Sequence, residues 1–218
     1  MIFYLRLFFV CLLVQIVPAK AQKQTVYFFK DDGREVFHKD SSDFVRIIQE
    51  PDSGSVNFAV TEYHSKNNQR RFVGTASSFY PRLILEGTSI SYYENGKRRD
   101  MVTYEKGDRK GLAYSFYQNG FPKKTVEFFK TTQLINYKVI SVYDSTGNEI
   151  VSNGNGYSLE KEGSVTVEGK YVDGFKEGTW NGVDYELGTR IEEIYVDGRL
   201  ITGKSILKDG SVYQYTAE

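Results

Sequence analysis

The 218-residue chain carries 28 basic and 28 acidic residues, 17 tyrosines, 15 phenylalanines, 20 glycines, 4 prolines and one cysteine. This balance lacks the basic excess of a nucleic-acid-binding domain, and a single cysteine excludes an internal disulfide framework or a thiolate metal site. Abundant glycine and aromatic residues with little proline predict many short strands joined by tight turns.

Residues 1–21 have the three parts of a secretory signal: Arg6 near the start, an apolar run from Leu7 to Val17, and the small-residue site Ala19-Lys20-Ala21 before Gln22. Cleavage near Ala21 is the expectation, which makes the mature protein periplasmic or secreted. The run of about 11 residues is short of the ~20 that span a bilayer, so an uncleaved anchor is the weaker alternative. Cys11 lies inside the run and not at its end, where lipid attachment would need it. No Asn-x-Ser/Thr acceptor is present, which fits a bacterial envelope protein.

Residues 22–80 read as an N-terminal β-hairpin region. Val26 to Phe37 forms an opening hairpin around Asp31-Asp32-Gly33, and Phe44 to Arg71 gives strands broken at Pro51-Asp52-Ser53-Gly54 and Asn67-Asn68. Over residues 81–130 the chain repeats itself. Gly87, Tyr92, Tyr93, Asn95 and Gly96 recur 24 residues later as Gly111, Phe116, Tyr117, Asn119 and Gly120, and Val102-Thr-Tyr104 as Val126-Glu-Phe128. Asn95-Gly96 and Asn119-Gly120 predict two-residue type I′ hairpin turns. Alternation places Ile90, Tyr92, Leu112, Tyr114 and Phe116 on one face and Ser89, Ser91 and Ser115 on the other, with Tyr92 beside Phe116 as a stabilising cross-strand pair.

Residues 131–163 form a degenerate repeat with a predicted bend at Asn153-Gly154-Asn155-Gly156, and residues 164–218 return to the pattern. There Tyr171-Val-Asp-Gly174 recurs as Tyr195-Val-Asp-Gly198, and Tyr-x-x-Gly-x-x-x-Gly links Tyr171, Gly174 and Gly178 as it links Tyr104, Gly107 and Gly111. The predicted fold is all-β: an elongated, single-layer antiparallel β-meander of stacked hairpins with a 24-residue period.

Through Tyr-x-x-Gly-x-x-x-Gly and Tyr-Tyr-x-Asn-Gly-Lys the chain resembles the MORN-variant repeat proteins of bacteria, the family that includes the YwqK-type antitoxins. The likeness is clearest over Gly87–Phe128 and extends over Val167–Tyr215. It implies a repeat scaffold for protein or membrane contact, and it brings no catalytic residues with it. Two features depart from the family: the export signal separates the chain from a cytosolic toxin, and Thr202 stands where the Tyr195 repeat should place its second glycine.

No nucleophile elbow, phosphate loop or zinc helix occurs. His38 and His64 lack companions at telling spacings, Asp31-Asp32 reads as a turn, and Glu192 and Glu193 fall on opposite strand faces. Asp144 to Glu149 reads as a plain turn without the ligand spacing of a calcium loop. The expectation is a non-enzymatic protein without metal or cofactor. Candidate binding residues are Tyr93 and Tyr117, read as an accessible aromatic stripe, and the basic positions Lys97, Arg98, Arg99, Arg109 and Lys110. A protein partner is expected first, an anionic membrane or wall polymer second, and nucleic acid not at all; an antitoxin or immunity role rests on the family likeness alone.

Overall fold

The computed structural model describes residues 23–51, 54–80, 82–130 and 135–216; the predicted leader and its cleavage site lie outside the described residues. Five strands open the chain: β1 (Gln24–Phe29), β2 (Glu35–Val36), β3 (Phe44–Gln49), β4 (Phe58–His64) and β5 (Arg70–Ser78). The repeats follow as β6 (Ile84–Tyr92), β7 (Arg98–Glu105), β8 (Asp108–Arg109), β9 (Gly111–Phe116) and β10 (Pro122–Lys130). The rest comprises β11 (Ile135–Tyr143), β12 (Glu149–Ser152), β13 (Asn155–Glu162), β14 (Val165–Val172), β15 (Phe175–Asp184), β16 (Thr189–Val196), β17 (Arg199–Ile206) and β18 (Val212–Thr216). All belong to one open antiparallel sheet of 18 strands. From β3 onward each ladder joins strands adjacent in the chain, except that β7 also pairs with β9 past the two-residue β8.

Because the strands alternate in direction, successive turns fall on two long edges, and the two edges use different turn chemistry. On one edge, Gly96 N–H donates to Tyr93 O and Tyr93 N–H to Lys97 O, both at 2.9 Å, and the same pair of bonds closes Tyr117–Phe121. Only the glycine of each turn has positive φ, +80° at Gly96 and +95° at Gly120. These are therefore type I turns followed by a left-handed glycine bulge, not the two-residue type I′ turns predicted. The asparagine keeps an ordinary φ, and its side chain is engaged twice. Asn95 Oδ1 accepts Lys97 N–H at 3.0 Å, and Nδ2 donates to Gln118 O of the next turn at 2.9 Å. Asn119 repeats this, accepting from Phe121 N–H at 3.0 Å and donating to Ser145 O at 2.8 Å.

The opposite edge carries the type I′ turns. Lys106-Gly107, Asp173-Gly174 and Asp197-Gly198 have positive φ at both residues. Each turn donates its two N–H groups to the preceding hairpin: Asp197 to Glu177 Oε2 at 2.9 Å and Gly198 to Lys176 O at 3.0 Å, as Lys106 does to Glu86 Oε1 and Gly107 to Leu85 O, both at 2.9 Å. The remaining motif glycines answer to backbone conformation. Gly87, Gly111 and Gly178 pair with Tyr104, Phe128 and Tyr195, and all three have positive φ, +69°, +65° and +69°, the left-handed region that favours glycine; a Cβ there would touch no ring. Tyr-x-x-Gly-x-x-x-Gly thus reads as ring, turn, and left-handed residue opposite the next ring. Thr202 pairs with Thr216 and lacks that φ.

Two predicted features of the repeat are corrected by the register. Tyr92 and Phe116 are not neighbours, because β7 runs between their strands; Tyr92 sits opposite Arg98 and Phe116 opposite Pro122. The better covered face is also the other one. Ser89 is 5% exposed and Ala113 6%, whereas Leu112 is 46% exposed. Small residues lie inward because the sheet curls toward them, and on the outer face Ile90, Met101 and Tyr114 pack across three strands.

The inner face is closed at two places. In the N-terminal part Ile48, Val60 and Ala76 are buried, and Phe79, in the loop after β5, packs edge-on against Phe58 with ring centres 4.8 Å apart. Further along, Val139, Val142, Val151, Tyr171 and Trp180 form a second core. Here the backbone itself is interlocked: Gly154 N–H donates to Ile140 O, Gly174 N–H to Gly154 O and Val139 N–H to Gly174 O, at 2.8–2.9 Å. The predicted bend at Asn153–Gly156 is this close-packed turn, across which the ladders continue from β12 to β13.

Candidate functional site

Between the two cores the inner face stays open as a groove of about 350 Å³. Its floor is narrow in volume because the inward positions of β6 and β9 are Ser89, Ser91, Ala113 and Ser115. Their hydroxyls are turned to the sheet: Ser89 Oγ donates to Val102 O at 3.4 Å, Ser115 Oγ to Lys124 O at 3.3 Å, and Ser91 Oγ to Asp100 Oδ2 at 2.8 Å. Phe72, Tyr104 and Phe128 rise as aromatic walls. The result is a trough between rings, floored by small groups.

Three cations border it. Arg99 Nε lies 2.9 Å from Asp100 Oδ2. Arg109 spreads over the Phe128 ring at 5.4 Å from its centre and has no carboxylate partner among the described residues. Lys124 closes the far end, with Nζ 2.8 Å from Glu160 Oε2 and 3.2 Å from Tyr171 Oη. Glu160 in turn accepts from the Tyr171 hydroxyl at 2.9 Å and from Ser158 at 3.2 Å. Burial alone would raise the Glu160 carboxyl; the Lys124 ammonium and the donated hydrogen bonds outweigh it and hold the group below its ordinary value. Burial beside that carboxylate pushes the Tyr171 phenol well up. This triad ties β10 to β13 and β14, across the two strands between.

The predicted binding residues separate into three sets. Arg99 and Arg109 meet at the groove. Lys97, whose Nζ donates to Asn119 O, belongs to the turn edge; Lys110, 2.8 Å from Glu105, sits on the opposite edge; Arg98 is exposed on β7. Tyr93 and Tyr117 do not form an accessible stripe. Both are half-buried, and their hydroxyls donate to Phe116 O at 2.7 Å and Tyr143 O at 2.8 Å, so each ring spans from its own turn to the next hairpin. Desolvation raises both phenol pKa values. A tyrosine one residue before a hairpin turn reaches sideways along the edge, which simple face alternation does not anticipate.

Phe72 and Asp100 are the groove residues that nothing in the sequence singles out, and Lys124 is legible there only as part of a basic cluster. A run of inward serines and alanine reads as a solvent face by composition, and nothing in spacing joins Lys124 to Glu160. Elsewhere Glu192 pairs with Lys204 at 2.7 Å while Glu193 accepts from Tyr195 and Tyr215 on the other face. Asp144 is a turn residue whose carboxylate accepts from Thr146 and Asn148, and it is held well below its ordinary pKa by those bonds. His38 is exposed, and His64 has its Nε2 shielded without a hydrogen-bond partner. Among the described residues no three metal-ligating side chains gather.

The geometry defines a class: an all-β protein of repeated hairpins in one open antiparallel sheet, with a groove between two packed stretches of its inner face. No family model and no curated protein matches the sequence.

Proposed function

We propose that the protein is an exported, non-enzymatic binding scaffold of the cell envelope, and that the groove between β5 and β10 receives a segment of a partner protein. The observation that carries this reading is the groove's construction: a floor of small side chains whose hydroxyls are already satisfied, flanked by aromatic walls. Such a trough admits an extended chain without asking for a particular reaction, and rings with arginine are the residues enriched where proteins meet. Arg99 and Arg109 at its border select for acidic residues on that partner.

A second reading, contact with an anionic wall polymer or membrane surface, draws on the same two arginines. Salt separates the two: exposed charge contacts weaken steeply with ionic strength, whereas a segment seated between Phe72 and Phe128 keeps its apolar contacts. Affinity capture from the fractionated envelope, with wild type and an Arg99→Ala/Arg109→Ala variant compared at low and high salt, tests the proposal. A stoichiometric protein that wild type still holds at high salt, and that the variant captures more weakly at low salt, supports it. Equal capture by both proteins at low salt, or recovery of lipid or polymer alone, contradicts it.

A further inference from the structure

A second cleft, between the β14–β15 and β16–β17 turns, holds a cation that no acid among the described residues pairs with. Lys176 crosses the inner face so that its Nζ lies 4.4 Å from the centre of the Trp180 ring and 4.7 Å from that of Tyr195. The carboxylates whose charges reach it are both engaged elsewhere. Glu193 accepts from the Tyr195 and Tyr215 hydroxyls at 2.8 and 3.0 Å, and Glu160 belongs to Lys124, Tyr171 and Ser158. No carboxylate among the described residues forms an ion pair with Lys176. Its ammonium has three protons to donate, and two ring faces satisfy them only in part. Desolvation lowers its pKa, partly countered by Glu193 and Glu160. An added anion would relieve that penalty.

The cleft opens to solvent with a volume of about 520 Å³, inside the roughly 300–1,000 Å³ range of small-ligand sites. Phe129 and Phe175 meet edge-to-face on one side with ring centres 6.4 Å apart, and Tyr137 stands half-exposed on another. Arg199 is exposed at the mouth. The remaining lining is largely polar: Asn136, Asp197, whose carboxylate can accept from a ligand hydroxyl, and the backbone at Gly174 and Gly198. A purely aromatic acid would leave those polar groups unmatched, and a simple carboxylate would leave the rings bare. A hydroxylated ring bearing a carboxylate meets all three surfaces.

We propose that this cleft binds an acidic sugar of the uronic-acid type, its carboxylate on Lys176 and Arg199 and its ring against Tyr137 and Phe175. The site is distinct from the groove, so either can fail without the other. Titration calorimetry on the purified protein with digalacturonate, the matching neutral galactose disaccharide and acetate tests it. Digalacturonate should bind at least about tenfold more tightly than either comparator, as a charge-assisted hydrogen bond requires. Lys176→Gln should remove that advantage, while Lys208→Gln, an equal charge change at an exposed position outside both clefts, leaves it unchanged. Equal affinity for the neutral sugar, equal affinity for acetate, or a Lys176→Gln variant that binds as wild type overturns the assignment. Should that variant fail to fold, the Lys176 amine resonance of wild type decides: it moves on addition of digalacturonate, or the proposal is wrong.

Discussion

Tyr93 and Tyr117 have rings that look like binding residues and hydroxyls that serve the sheet. Each donates one hydrogen bond to the backbone of the next hairpin, at 2.7 and 2.8 Å. Tyr93→Phe and Tyr117→Phe should therefore each lower stability by about 1 kcal/mol, the usual net worth of such a bond, with partner capture unchanged; urea melts and the capture assay check both. Glu160 makes the matching case for charge. Its folded pKa is depressed, so its stabilisation is present above the unfolded value near 4.3 and is lost as pH falls through the lower folded value. The melting temperature of wild type should fall steeply below about pH 4.5, and Glu160→Gln should flatten that limb. At neutral pH the same variant strands the Lys124 ammonium, at a cost of about 3 kcal/mol. A Glu160→Gln melt that tracks wild type at every pH would remove the triad from the account.

At the scale of elements, the two edges divide the labour of stacking. Asn95 and Asn119 lend an amide N–H to the next turn, a bond aspartate cannot make, although aspartate keeps the acceptor within the turn. Asn119→Asp should cost about 1 kcal/mol, while Asp197→Asn, in a type I′ turn that stacks through its backbone N–H, should be close to neutral. Thermal melts of the two variants distinguish the edges. Close ring-to-backbone contacts matter as much: a Cβ at Gly169 would run into the Trp180 ring, so Gly169→Ala should approach the roughly 3–5 kcal/mol lost in Trp180→Ala. Asn-Gly announced these hairpins correctly in sequence. It did not distinguish the bulged turn from the type I′ turn, because the residue pair does not set the type: Asp32-Gly33 and Asp209-Gly210 close the bulged turn while Asp173-Gly174 and Asp197-Gly198 close type I′ turns.

For the whole molecule, an all-β sheet of hairpins was legible from the spacing of Asn95-Gly96 and Asn119-Gly120 and from Tyr171-Val-Asp-Gly174 and Tyr195-Val-Asp-Gly198. The inner face was not legible. Alternation separates two faces without saying toward which the sheet curls, and curling is decided by contacts far apart in sequence, such as Gly174 with Val139 and Lys124 with Glu160. For the same reason Arg99 and Arg109 were visible as candidates while Phe72, which completes their groove, was not. Two packed stretches leave an open interval between them, the groove proposed above as the binding surface.

The most direct test of the proposed surface is photo-crosslinking in the native host, with a benzophenone amino acid at position 109 in the groove and, separately, at position 112 on the opposite face. One partner protein crosslinked from position 109 and absent from position 112 is the predicted result. The same adduct from both positions, or from position 112 alone, would place the binding surface on the other side of the sheet.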